Sequence, residues 1–263
     1  MKGPTSPGGH YASSSDIEGL GGSGSVSAMC FNWPYRGSSP LDLRGCDRAD
    51  KWGGLEPKDA PCSTGDQQSP IDITGAVTAR QPPLKISWTK RPDTIVNNGH
   101  TIQLNFAAGN TLHVGERRYG LIQFHFHHPS EHLVDGKKFA MEAHFVHSAE
   151  DGGLAVVGVF IVPGEANAAF HKIVSTMPKE EGPAVAADPA IDPTRLLPAQ
   201  RTFYHYEGSL TTPPCSQTVD WLVLTHDIEV ADTDIARFAK LYPMNARPVQ
   251  ELDRRFILSS SPR

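Results

Sequence analysis

Gln123-Phe124-His125-Phe126-His127, answered downstream by Glu142-Ala143-His144, contains the residue types from which a metal-based chemistry can be built. In an extended strand successive side chains point to opposite faces, so His125 and His127 share one face with Gln123, while Phe124 and Phe126 share the other. Glu142 and His144 share a face in the same way. Asp135-Gly136, between the two segments, is a two-residue hairpin signal. An ideal turn there sets His144 directly opposite His127, within the ~4.5–5.5 Å Cβ spacing that lets three imidazoles converge on one ion. Pro129 interrupts regular pairing near the loop. A lone His-x-His is usually just a strand whose outer face carries two histidines; a third histidine in matching register, flanked by polar residues, argues for ligands. Three neutral imidazoles with one open position are the catalytic arrangement of Zn2+, and no cysteine stands near enough in sequence to close the site as a structural one. Metal-bound histidines donate their second ring N–H to an oriented acceptor. Gln123 is placed to serve His125, and Glu142 to serve His144.

Gly208-Ser209-Leu210-Thr211-Thr212-Pro213-Pro214 reads as a rigid loop, because its prolines donate no main-chain hydrogen bond. A hydroxide held by zinc needs its one proton directed away from the substrate. A threonine hydroxyl accepts that hydrogen bond only if its own proton goes elsewhere, and Glu131, in Ser130-Glu131-His132, is the candidate acceptor. His100, in Asn97-Asn98-Gly99-His100, reads by itself as a surface histidine. At the mouth of a zinc cleft, however, its pKa range suits it to carry protons.

The elements that must position these residues are mostly strands. Strand patterning covers Leu84–Trp88, Thr101–Phe106, Thr111–Val114, Tyr119–His127, Lys138–His147, Leu154–Val162, Thr202–Glu207 and Val219–His226. Asn98-Gly99 and Ala108-Gly109-Asn110 provide turns. Phe170, Ile173, Val174 and Met177 form a helical stripe over Ala169–Met177, and Ile235, Phe238 and Leu241 form another over Thr233–Leu241, stopped by Pro243. Pro178–Pro198 is expected to be a surface connection.

A chain of 263 residues is long enough for one sizeable core. Its net charge of −5, with both signs dispersed, indicates neither nucleic acid nor an anionic membrane as partner. No apolar run approaches the ~18–20 residues of a membrane span, and the opening residues lack a secretory signal pattern. Met1–Ala28 is Gly- and Ser-rich and reads as a flexible tail; residues 29–263 are expected to form one domain. Cys30, Cys46, Cys62 and Cys215 allow three pairings, and their composition alone fits an oxidising or a reducing compartment equally.

Taken in order, these segments resemble one family. Gln67-Gln68-Ser69-Pro70-Ile71-Asp72-Ile73, Asn97-Asn98-Gly99-His100, Gln123–His127, Ser130-Glu131-His132, Glu142–His147, Tyr206–Pro214 and Asn245-Ala246-Arg247-Pro248 are similar to the α-class carbonic anhydrases, in particular the compact bacterial type. The resemblance runs from about Trp52 to the C-terminus. It implies a mainly β (α+β) single domain with a central, twisted, mostly antiparallel sheet and short peripheral helices.

It further implies a lyase that hydrates carbon dioxide reversibly to bicarbonate and a proton, by attack of a zinc-bound hydroxide. In that scheme His125, His127 and His144 bind zinc, and Gln123, Glu142 and Asn245 support them. Thr211 and Glu131 orient the hydroxide, and His100 shuttles the proton along a polar wall that includes Tyr35 and Asn98. Val146, Val156, Leu210, Val219 and Trp221 form the apolar pocket for carbon dioxide, and Thr212 contacts bicarbonate or inhibitors such as sulfonamides. Cys62 and Cys215 fall where secreted members carry a disulfide, which implies a periplasmic or secreted enzyme whose native signal peptide is not in this chain. A homodimer is compatible with this reading. The departures lie upstream: Asn32 precedes Trp33 where a histidine is common, and Gly37–Asp50, which follows Cys30 and contains Cys46, is an extra segment.

Overall fold

The structure, a computed structural model, describes residues 49–260. The Gly/Ser-rich opening, Cys30, Tyr35, Cys46 and nearly all of the Gly37–Asp50 segment lie outside the described residues. The expected class is found: a large, mixed, twisted sheet of 13 strands in one domain, with a few short helices. Most neighbours are antiparallel. The exceptions are Leu154–Pro163, parallel to both Val219–Leu224 and Ile228–Val230, and Leu258–Ser260, parallel to Val77–Ala79.

All eight segments with strand patterning are strands, with ends moved by a few residues; Arg117–His127 and Met141–Ser148 carry the histidines. Thr94–Asn97 was passed over, and Ile228–Val230 and several strands of two or three residues had no readable pattern, because so few residues cannot display a period. The two helices occupy Ala168–Thr176 and Asp232–Leu241. Asn167 caps the first, its Oδ1 accepting from the N–H groups of Ala169 and Phe170 at 3.0 and 3.1 Å.

Alternation along the central strands divides the interior in two. Phe124, Phe126, Ala143, Phe145, Val157, Val159 and Leu222 point to one side, where Phe170 and Ile173 of the first helix and Phe238 of the second cover them. The Phe126 ring lies 5.3 Å from Phe170 and 5.9 Å from Phe238. Burying each such ring stabilises the fold by roughly 1.5–3 kcal/mol, so this face anchors the strands that present the histidines on their other side. The stretch Pro178–Pro198 departs from the expected surface connection. It contributes the edge strand Val185–Ala186 and buries Ile191, Leu196 and Leu197 in the main core, because these large aliphatic side chains are removed from water there.

The hairpin register also differs from the ideal one. Around Asp135-Gly136 the pairs Leu133↔Lys138 and Val134↔Lys137 obey the two-residue turn. Beyond it the ladder has slipped by two residues: Glu142 faces His127, and His144 faces His125 rather than His127. The cause is unequal limbs between the paired positions, His128–His132 on one side against Phe139–Met141 on the other. Pro129 has no N–H to donate to a ladder, and Ser130 pins the offset, its N–H donating to Phe139 O at 3.1 Å while its Oγ accepts from the Phe139 N–H at 3.0 Å. A slip of two preserves the faces, whereas a slip of one would invert them.

Candidate metal centre and active site

His125, His127 and His144 lie on the face opposite the phenylalanine core, all three buried. One ring nitrogen from each lies within 4.8 Å of the others. An oxygen stands close to each of their outer nitrogens. Gln123 Oε1 is 2.9 Å from His125 Nδ1, the Asn245 carbonyl is 3.1 Å from His127 Nδ1, and Glu142 Oε1 is 3.0 Å from His144 Nε2. Each partner is an acceptor, so the proton of each neutral ring sits on the outer nitrogen and a lone pair faces the cluster. His127 Nε2 is buried without a hydrogen-bond partner. Burial holds all three imidazoles neutral: it pushes His127 down to about 4, depresses His125 together with its histidine neighbours, and lowers His144 despite the nearby Glu142. Three convergent, deprotonated nitrogens are a donor set that fits a borderline-soft divalent cation.

The longer hairpin limb supplies the support. Glu142 Oε2 accepts from the N–H groups of Glu131 and His132, both at 2.9 Å, and Oε1 lies 2.8 Å from His132 Nδ1. Burial alone would raise the Glu142 carboxyl, but its interactions with His132 and His144 outweigh it and hold it well below the usual range. Behind it, His132 Nε2 is 2.6 Å from the Tyr206 hydroxyl, which is 2.9 Å from Ser69 Oγ. Glu131 turns inward beside the cluster, with Oε1 3.5 Å from His127 Nδ1 and Oε2 3.8 Å from His144 Nδ1. Its carboxyl is raised by burial, opposed by His144, the Arg247 N–H and the Thr211 hydroxyl. Thr211 and Glu131, remote in sequence, are therefore neighbours.

The apolar residues beside the cluster also converge. Val146 pairs with Val156, which pairs with Trp221, so the three stand in one line across adjacent strands. With Leu210 and Val219 they belong to one buried cluster, separate from the phenylalanine core, and the Trp221 ring lies 4.8 Å from that of His144. Thr212, next in sequence to Thr211, is half-buried. Cys62 and Cys215 are bonded, with 5.1 Å between their Cα atoms.

A family model for eukaryotic-type carbonic anhydrase matches residues 47–261. A carbonic anhydrase of a Nostoc species is 38% identical over 239 residues, covering 89% of this chain and 88% of that protein. One from Neisseria gonorrhoeae is 40% identical, covering 86% and 87% respectively. The solved α-carbonic anhydrase of Thermovibrio ammonificans, in complex with the inhibitor sulfanilamide, superposes with a TM-score of 0.81 at 40% identity, covering 84% of this chain and all of that one. The chain belongs to the α-carbonic anhydrase family. It is thus an enzyme of carbon dioxide and bicarbonate.

In this carbonic anhydrase the half-buried His100 turns its ring toward the histidine cluster. Its ring is 6.1 Å from that of His127, and both ring nitrogens are shielded and unpartnered. Burial, then His127, pushes it down to about 3. Asn98 builds the turn beneath it, Oδ1 accepting from the N–H groups of His100 and Thr101 at 3.0 and 2.8 Å, and Gly99 takes the left-handed conformation at φ 82°. Asn98 Nδ2 also donates to Gln103 Oε1 at 3.4 Å.

Asn245 works through both backbone and side chain. Besides its carbonyl on His127, its Oδ1 accepts from the His128 N–H at 2.7 Å, and its Nδ2 donates to the carbonyls of His100 and Phe126, both at 3.0 Å. Tyr35 lies outside the described residues. Sequence reasoning passed over His132, Tyr206 and Ser69, although each stands inside a quoted motif. A signal was available for His132: a buried carboxylate that supports one imidazole has capacity for more donors. No helix among the described residues is long and apolar enough to cross a membrane.

Proposed function

We propose that this carbonic anhydrase catalyses reversible hydration of carbon dioxide at a single zinc ion held by His125, His127 and His144. The observation that carries this is the trio of buried imidazoles whose inward nitrogens lie within 4.8 Å of one another while an oxygen stands within 3.1 Å of every outer nitrogen. When bound, zinc supplies the Lewis acidity that brings the ionisation of water down to about pH 7. The protein does the rest. Gln123, the Asn245 carbonyl and Glu142 orient the ligands. The Thr211 hydroxyl gives its proton to Glu131 and can then only accept, so it selects one orientation of the nucleophile. Val146, Val156, Leu210, Val219 and Trp221 offer carbon dioxide a water-poor wall, and Thr212 contacts bicarbonate. His100, its ring turned outward from the position described, takes the released proton past Asn98 to solvent.

The bonded cysteines support a periplasmic or secreted location, and residues 29–263 constitute the catalytic domain behind a tail of residues 1–28. Zinc content and stopped-flow hydration, measured before and after chelation, test this reading. About one zinc per chain, loss of activity on chelation and recovery with zinc are expected. His144→Ala abolishes both together; full hydration by zinc-free His144→Ala protein would sink the assignment. A sulfonamide titration that inhibits at one equivalent per zinc provides a second check.

A further inference from the structure

The guanidinium of Arg247 has no part in the scheme above, yet the residue is only 2% exposed. Among the described residues no carboxylate is within ion-pair distance of it. Its partners are neutral: Nη1 donates to Gln68 Oε1 at 2.9 Å and to the Ser69 carbonyl at 2.8 Å, and Nη2 donates to the Cys62 carbonyl at 3.1 Å. Its plane stands over the Trp52 ring at 5.6 Å. Burying a cation among neutral carbonyls is costly, and a hydrophobic side chain would serve better if the only task were to fill space.

The same residue's backbone N–H donates to Glu131 Oε1 at 2.8 Å. Its acceptors lead the other way round to Thr211. Gln68 Nε2 donates to the Cys215 carbonyl at 3.1 Å. Cys215 is bonded to Cys62 and lies in the loop closed by the Leu210 N–H on Ser216 O at 3.1 Å, which carries Thr211. A chain of contacts results: Glu131 to the Arg247 backbone, the guanidinium to Cys62 and Gln68, these to Cys215, and its loop to Thr211, whose hydroxyl helps hold the Glu131 carboxyl down.

We propose that Arg247 is a positioning residue for the Thr211–Glu131 pair. Its guanidinium locks the segment that orients Glu131 onto the same disulfide-tethered frame that holds Thr211. The proposal rests on Thr211 and Glu131 being the orienting pair. Only a planar fork can hold the two Nη1 acceptors and the Cys62 carbonyl at once, so lysine is no substitute.

The test is a double-mutant cycle on zinc-loaded enzyme with metal content measured for every variant: Thr211→Ala, Arg247→Met, Arg247→Lys and the two combinations. Thr211→Ala should lower kcat/KM by about 10²–10³-fold. Each Arg247 variant should keep its zinc and lower kcat/KM about 10-fold, below the roughly 10²-fold that a 1 Å misplacement can cost. In the Thr211→Ala background the Arg247 changes should cost nothing further, because the pair they position is already broken. An equal fractional loss in both backgrounds, or an unchanged kcat/KM in the single Arg247 variants, overturns the proposal. If neither Arg247 variant folds, Gln68→Met carries the same cycle, since it removes one guanidinium acceptor together with the donor to Cys215. Undiminished kcat/KM in Thr211→Ala would instead withdraw the orienting pair itself, and this inference with it.

Discussion

Glu142 faces His127 across the ladder, but its carboxylate serves His144, two residues further along its own strand, at 3.0 Å. Residues two apart share a face, and the slip of the hairpin brings the Glu131 and His132 N–H groups onto the remaining oxygen. One carboxylate thus joins the third ligand to the limb that carries Glu131.

Removing that junction should loosen the metal. Glu142→Ala leaves His144 without its acceptor and two buried N–H groups unpaired, and loss of such a ligand partner typically costs 10–100-fold in metal affinity. Competition with a chromophoric chelator measures it. Wild-type affinity in Glu142→Ala would show that His144 is oriented by something else.

Chelated protein should lose stability as pH falls from about 6.5 towards 4. In the fold His127 and His147 are held down to about 4 and His100 to about 3, chiefly by burial, whereas unfolded histidines titrate near 6.5. Below 6.5 the unfolded chain therefore binds protons that the fold refuses. Each such group removes up to about 1.4 kcal/mol per pH unit across this window. Calorimetry of the zinc-free protein should show Tm dropping steeply between pH 6.5 and 4.5; a flat Tm there would mean these rings are accessible.

Loss of the Cys62–Cys215 bond, which joins residues 153 apart, should destabilise the protein markedly. The chain-entropy model gives about 5 kcal/mol for a loop of this size, with measured values often smaller. Denaturant unfolding of the Cys62→Ser/Cys215→Ser protein against wild type reads the difference. A midpoint unmoved by the double replacement would rule out a stabilising role.

His100→Ala should separate proton export from attack on carbon dioxide. kcat/KM should stay close to wild type, kcat should fall, and a concentrated imidazole buffer should restore much of it. If kcat and kcat/KM decline together without rescue, the inward ring packed against His127 is structural and the proton leaves by another route.

What could be read from the chain is whatever depends on period and local turn chemistry. Alternation of two placed His125, His127 and Gln123 on one face and Phe124 and Phe126 on the other, and it survived the slipped register because the slip was even. The spacing of two likewise set Gln123 beside His125 and Glu142 beside His144. Only the tertiary structure decided the contacts between distant segments. His144 is paired across the ladder with His125 rather than His127, although its ring lies nearer that of His127, because the two hairpin limbs differ in length, and no turn motif encodes that difference. His127 is held by the carbonyl of Asn245, and Glu131 by the N–H of Arg247, groups that every residue carries and that leave no mark on a sequence. The inward ring of His100 and the line from Glu142 through His132 and Tyr206 to Ser69 arise where strands far apart in the chain become neighbours. Strand order in a sheet is set by the packing of whole faces, a property of the assembled core rather than of any one segment.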